Sequence, residues 1–343
     1  MNFISQPTSK DLAPHLHPLY RPRRLRLTPA IRSMVSETSW RPEQLIYPVF
    51  VREGINEPQE ISSLPGQYQH TLESVVDIAR KARDLHVGGL MIFGVPRDED
   101  KDDYGRYAWS DACIANKAIE SIRSELGNDI VIMADTCLDE YTSHGHCGPL
   151  DENGDVDNDA ALVCYQQAAL AQAKAGAHFI APSGMMDGQI QALRDALDTH
   201  GYENIGIFAY SSKFASAFFG PFRDAVGCEL QGDRRSYQED PANKREAIHE
   251  TLLDIEEGAD MVMVKPASYY GDILAQIAEF SPVPVGAYQV SGEYAMVAAA
   301  AERGWIDKKR TVDEQLICLV RGGADVILTY WALEAAEWKA KKL

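Results

Sequence analysis

Eight short apolar runs, each parted from the next by an amphipathic stretch, constrain this chain more than any other feature. They are Leu45 to Val51, Gly89 to Gly94, Ile130 to Asp135, Phe179 to Ser183, Ile205 to Ala209, Met261 to Lys265, Val283 to Val290 and Val326 to Tyr330. Helical spacing falls between them, for example over Thr71 to Leu85, Ala112 to Leu126, Ala160 to Ala175, Gln189 to Thr199, Arg245 to Glu257, Glu293 to Arg303 and Asp313 to Val320. Strands that are apolar throughout, rather than alternating, belong to parallel sheets covered on both faces. Eight such repeats predict a (β/α)8 TIM barrel over residues 39–343, with a doubly wound open sheet as the alternative. Residues 1–38 are of another kind, with several prolines and Lys10, Arg21, Arg23, Arg24 and Arg26 but no period long enough to bury themselves. They read as an extended N-terminal arm that docks on a neighbouring subunit, although a basic run can also bind anions.

Charge and hydropathy exclude several classes of function. Lys and Arg number 33 against 51 Asp and Glu, a net charge of −18 that repels nucleic-acid phosphates and anionic lipid. No apolar run approaches the roughly 18 residues of a membrane span, and the first twenty residues hold no signal core, so a cytoplasmic protein is expected. Six cysteines scattered over 343 residues do not make a disulfide scaffold. Cys113, Cys164 and Cys318 sit in apolar helical contexts and read as core thiols, and Cys228 as a loop residue.

In a barrel the chemistry gathers at the carboxyl ends of the strands, where Asp135, Ser183, Lys213, Lys265, Ser291 and Tyr330 all fall. Lys265 ends the run Met261 to Lys265 and precedes Pro266, while Lys213 follows the run Ile205 to Ala209 in YSSKFAS. If those two strands are neighbours, about 4.8 Å apart, two amines share one pocket. Burial and like charge both lower a lysine pKa, and a neutral amine attacks a carbonyl to give a Schiff base. A lysine snorkelling from a strand end is the plainer reading of either residue alone.

Two loops add to the constellation. The segment ADTCLDEYTSHGHCG carries Asp135, Cys137, Asp139, His144, His146 and Cys147. It is either a metal site with an open position, suited to zinc, or a polar loop of free thiols and hydrogen-bonding histidines. The connection after Lys213 holds Arg223, Arg234 and Arg235 among aromatic residues and glycines, and its length suggests a lid that clamps a carboxylate. On the stretch NKREAIHETLLDIEEGAD, Glu246, Glu250, Asp254 and Glu257 form a row that reads first as a solvated helix face.

Taken in order, TSHGHCG, APSGMMDGQ, KFASAFFGPFRDA, GDRRSYQ, GADMVMVKP and VSGEYAM closely resemble the 5-aminolevulinate dehydratase (porphobilinogen synthase) family, over about Arg21 to Trp338. The resemblance implies a barrel assembled through its arms, usually as a homo-octamer. It also implies condensation of two 5-aminolevulinate molecules into porphobilinogen, with loss of two waters, for tetrapyrrole biosynthesis. By this likeness Lys265 and Lys213 are the two substrate lysines and Asp135 assists proton transfer. Arg223, Arg234 and Gln238 hold the second substrate's carboxylate, and Ser291 and Tyr330 the first's. The family's zinc-dependent form has three cysteines where this chain has Cys137, Asp139 and Cys147, so a weaker zinc site is expected here. Gly184 is a second departure, since some relatives carry Asp or Ala there. Glu250 matches the position of an allosteric Mg²⁺ ligand. A class I aldolase-like barrel is the rival enzyme, and a non-catalytic metal-binding or assembly module is the rival outside enzymes.

Overall fold

The computed structural model describes residues 20–341, and its backbone divides into two units between Ser39 and Trp40. In the first, Pro22–Arg26 form a 3-10 turn and Pro29–Met34 a short helix, whose first turn is capped by the Thr28 hydroxyl accepting from Ile31 N–H. The segment buries none of its own side chains, and Tyr20 is 84% exposed. The rest of the expected arm, residues 1–19 with Lys10, lies outside the described residues.

The second unit is a closed barrel. Its strands are β1 (Leu45–Arg52), β4 (Gly89–Val95), β5 (Val131–Thr136), β6 (Phe179–Pro182), β7 (Gly206–Lys213), β8 (Met261–Lys265), β9 (Val285–Gln289) and β10 (Val326–Thr329), and two short strands, β2 (Gln59–Glu60) and β3 (Tyr68–His70), extend the far end of β1. Every neighbouring barrel pair is parallel, and β10 pairs back onto β1 through Leu45 with Ile327 and Ile46 with Leu328. That closure removes the open sheet edge and settles the fold as a TIM barrel. The strands are buried on both faces because helices cover the outside and side chains fill the inside. Where fillings are bulky, glycine makes the room: a Cβ on Gly286 would stand 2.4 Å from the Phe208 ring.

Between strands the chain forms the expected helices, among them Leu72–Asp84, Asn158–Ala175, Lys244–Glu256, Ser291–Glu302 and Lys308–Arg321, and also Gly271–Phe280. Thr71 starts the first of these by accepting from Ser74 N–H, and Asp157 starts the second by accepting from Ala160 N–H. Helix Lys308–Arg321 turns Val312, Leu316 and Leu319 inward, which leaves Cys318 exposed rather than in the core.

One irregularity in the sheet positions the site. Phe208 pairs with Met261 and Ala209 with Val262, but the next pairs are Ser212 with Val264 and Lys213 with Lys265. Three steps along β7 thus match two along β8, a bulge of one residue. Side chains alternate between the two faces of a strand, so a one-residue slip reverses which face each occupies. Without the bulge Ser212 would stand beside Lys265, and Lys213 would point to the other face. Sequence reasoning places Lys213 beyond its strand; in the structure it is the strand's last residue, held there by this bulge.

Candidate active site

Lys213 and Lys265 are register partners whose side chains line one cavity of about 350 Å³ at the carboxyl ends of the strands. Lys265 lies among rings, its Nζ 4.7 Å from the centre of Tyr288, 4.8 Å from Tyr210, 5.2 Å from Phe219 and 5.4 Å from Phe222. Burial, and then the neighbouring Lys213 charge, lower its pKa from 10.5 to about 7. The Lys213 ammonium donates to the Ser183 carbonyl oxygen. Asp135, from the end of β5, lines the same cavity and accepts a 3.4 Å hydrogen bond from the Ser183 hydroxyl. Burial raises its pKa to about 6 against the pull of both lysines. The pocket therefore holds, near neutral pH, an amine that is partly neutral and a carboxyl that exchanges its proton readily.

The loop after β5 closes one side. Cys137, Asp139 and Cys147 are buried, and a ligand atom from each lies within 4.8 Å of the others. This mixed sulfur and oxygen set fits a borderline-soft ion such as zinc. Asp139 is also engaged by Arg234, whose Nη2 donates to it at 2.7 Å and to Gly145 O at 2.8 Å. Burial opposes ionisation of Asp139, but Arg234 and Lys213 together hold its carboxyl well below the usual range. A short contact with Cys137 lowers the Cys147 pKa to about 7, while burial pushes the Cys137 thiol well up. His144 and His146 stand apart from this triad. His146 Nε2 lies 2.7 Å from Gln231 O and its Nδ1 3.1 Å from the Tyr237 hydroxyl, so it ties the loop to the lid.

The lid leaves β7 at Phe214 and returns at Glu239, where Glu239 N–H donates to Lys213 O and Ala215 N–H donates to Glu239 O. Arg223, Arg234 and Gln238 all line the cavity, and Arg234 Nε and Gln238 Nε2 have no hydrogen-bond partner among the described residues. Ser291 and Tyr330 stand one layer behind. The Ser291 hydroxyl accepts from Phe222 N–H and donates to Phe218 O at the base of the lid, and the Tyr330 hydroxyl lies 3.3 Å from that of Tyr288 beside Lys265. Glu250 is half-buried and lines a separate cavity of about 390 Å³ with Asp155, Asp187, Glu239 and Glu246. Burial, and then Asp187, raise its pKa. That cavity shares Arg235 and Gln238 of the lid with the lysine pocket.

Sequence reasoning missed the aromatic cage, because Tyr210 and Tyr288 lie inside apolar runs and look like core. It missed Glu239 and Glu140 as well, each hidden beside a residue that drew attention.

With this geometry in view, the chain was compared with known proteins. A family model described as delta-aminolevulinic acid dehydratase matches residues 19–338. The delta-aminolevulinic acid dehydratase of Mycobacterium leprae is 55% identical over 94% of this chain and 98% of its own length. That of Streptomyces coelicolor is also 55% identical, over 92% of this chain and 96% of its own. The solved delta-aminolevulinic acid dehydratase (porphobilinogen synthase) of Toxoplasma gondii ME49, in complex with its product porphobilinogen, superposes with a TM-score of 0.92 at 42% identity, covering 94% of this chain and 92% of that one. The chain belongs to the delta-aminolevulinic acid dehydratase family.

Proposed function

We propose that this chain joins two molecules of 5-aminolevulinate into porphobilinogen, with loss of two waters, a step toward tetrapyrroles. The observation that carries the reading is the pair Lys213 and Lys265, side by side on β7 and β8 and open to one cavity. Lys265 attacks the ketone of the first substrate and expels its oxygen as water, leaving an iminium. Lys213 does the same to the second. The substrates' own carbon and nitrogen then displace the two lysines, which return as free amines, so two waters are the only losses. Asp135 takes and returns protons during these exchanges. The rings around Lys265 exclude the water that would hydrolyse the iminium.

Each carboxylate needs its own anchor if the ketones are to meet in one orientation. Arg223, Arg234 and Gln238 take the second substrate's carboxylate, a role supported by the unpartnered Arg234 Nε. Ser291 and Tyr330 take the first's, which requires the Ser291 hydroxyl to exchange its backbone contacts for substrate. Cys137, Asp139 and Cys147 would hold Zn²⁺, which when bound supplies Lewis acidity for the second substrate. Glu250 would hold Mg²⁺ as an allosteric ion, supported by the acid-lined cavity that adjoins the lid. Residues 1–38 form the arm of a homo-oligomer, taken as an octamer, and residues 39–343 the catalytic barrel. Exposed Tyr20, Leu27 and Met34 support this use of the arm. A cytoplasmic setting completes the reading; no described helix is long and apolar enough to cross a membrane.

A class I aldolase-like barrel accounts for Lys265 but leaves Lys213, at the same level of the same cavity, without work. The test is pyrrole formation from 5-aminolevulinate, read by colour reaction. Wild type should form the pyrrole, and Lys213→Met and Lys265→Met should each abolish it. Pyrrole synthesis that survives either substitution overturns the two-lysine reading.

A further inference from the structure

Glu140 is a buried carboxylate that the mechanism above leaves idle. It is 2% exposed, and neither of its oxygens reaches a donor at hydrogen-bond distance among the described residues. An ionisable group so placed is met by a water or an ion, or else it keeps its proton, and burial together with the adjacent Asp139 carboxylate pushes the Glu140 carboxyl well up when no cation is bound. The neighbouring Asp139 already has Arg234 at 2.7 Å. Glu140 has no such cation. What it does have is Cys137 and Asp135, with a ligand atom from each of the three lying within 4.8 Å of the others, all buried. Asp135 brings an Oδ1 that makes no close hydrogen bond among the described residues, with the Tyr210 hydroxyl beside the carboxyl.

We propose that Asp135, Cys137 and Glu140 form a divalent-cation position of their own, adjoining the Cys137–Asp139–Cys147 set and sharing its Cys137 sulfur. Two carboxylates and one thiolate suit a borderline first-row ion such as Zn²⁺ or Co²⁺ better than a purely soft one. The position would also set the ion against Asp135, which lines the cavity together with both lysines. The inference goes beyond the dehydratase reading and stands or falls separately from it.

The test uses the full-length protein stripped by chelation and titrated with Co²⁺, whose thiolate charge-transfer band reports Cys137. Cys147→Ser takes a sulfur from the neighbouring set and leaves the new one whole. We expect Cys147→Ser to keep a Co²⁺–thiolate band, and Cys147→Ser/Glu140→Gln to bind Co²⁺ at least tenfold more weakly. Loss of the band in Cys147→Ser alone, or equal binding by the single and double variants, overturns the proposal. Wild-type crystals soaked in Co²⁺ give a reading that no folding defect can obscure. An anomalous peak bonded to a Glu140 oxygen supports the site, and density there without anomalous signal means water and overturns it. Pyrrole synthesis by Glu140→Gln, measured alongside, keeps the two readings distinct, because a variant can lose this ion and still be a dehydratase.

Discussion

Removing the Lys213 charge should make Lys265 a stronger base and a slower nucleophile at neutral pH. Lys265 has its pKa lowered from 10.5 to about 7, first by burial and then by Lys213. That shift corresponds to about 5 kcal/mol in favour of the neutral amine, and it raises the neutral fraction at pH 7 from roughly one in 3,000 to about a half. In Lys213→Met the second contribution disappears and the first, larger one stays. The midpoint should therefore rise above 7 and remain well below 10.5. The assay is the rate of Lys265 adduct formation with a keto acid lacking the amino group, trapped by cyanoborohydride and followed from pH 5 to 10. A wild-type midpoint near 10 would refute the burial argument, and a midpoint that falls in Lys213→Met would refute the like-charge argument. The same shift has a stability signature. Between pH about 7 and 10.5 the unfolded chain binds the Lys265 proton and the folded one does not, so this residue makes stability rise with pH across that window.

Other consequences follow from the same contacts. Asp139→Asn leaves Arg234 buried without its counter-charge, and should cost about 3–5 kcal/mol in denaturant unfolding. A Cβ on Gly184 would stand 2.2 Å from the Tyr165 hydroxyl, which donates at 2.6 Å to Cys147 O. Gly184→Ala should therefore destabilise the fold by roughly 1–3 kcal/mol, lowering the melting temperature, and should weaken retention of any divalent ion added at the Cys137, Asp139 and Cys147 set. Burial raises the carboxyls of Glu239, Asp254 and Glu293 to about 8, 7 and 7. For these groups the folded state holds the proton after the unfolded state has released it, so their contribution to stability falls as pH rises from about 4.5 to 8, and Glu239→Gln should flatten that fall.

The barrel was legible because every strand is a short apolar run closed off by glycine, proline or a polar residue, and because the runs come in the right number. Lys265 was legible for the same reason, at the end of Met261 to Lys265. Lys213 was only half legible. Its nearness to a strand end could be read, but its facing depends on a bulge, and a bulge is a property of two paired strands rather than of one. The metal loop shows the same limit. Asp139 and Glu140 are adjacent acids in one turn, and nothing local says that the first meets Arg234, 95 residues on, while the second meets no cation among the described residues. Cys318 was misread because its neighbours are apolar; the helical phase that turns Leu316 and Leu319 inward is what leaves it outside.

The most direct test of the central claim is to incubate the protein with isotopically labelled 5-aminolevulinate, reduce with borohydride, and map the modified peptides by mass spectrometry. The account predicts label on Lys265 in wild type and in Lys213→Met, and label on Lys213 when Lys265→Met is used. Label on neither lysine, or on a lysine outside this cavity, would contradict it.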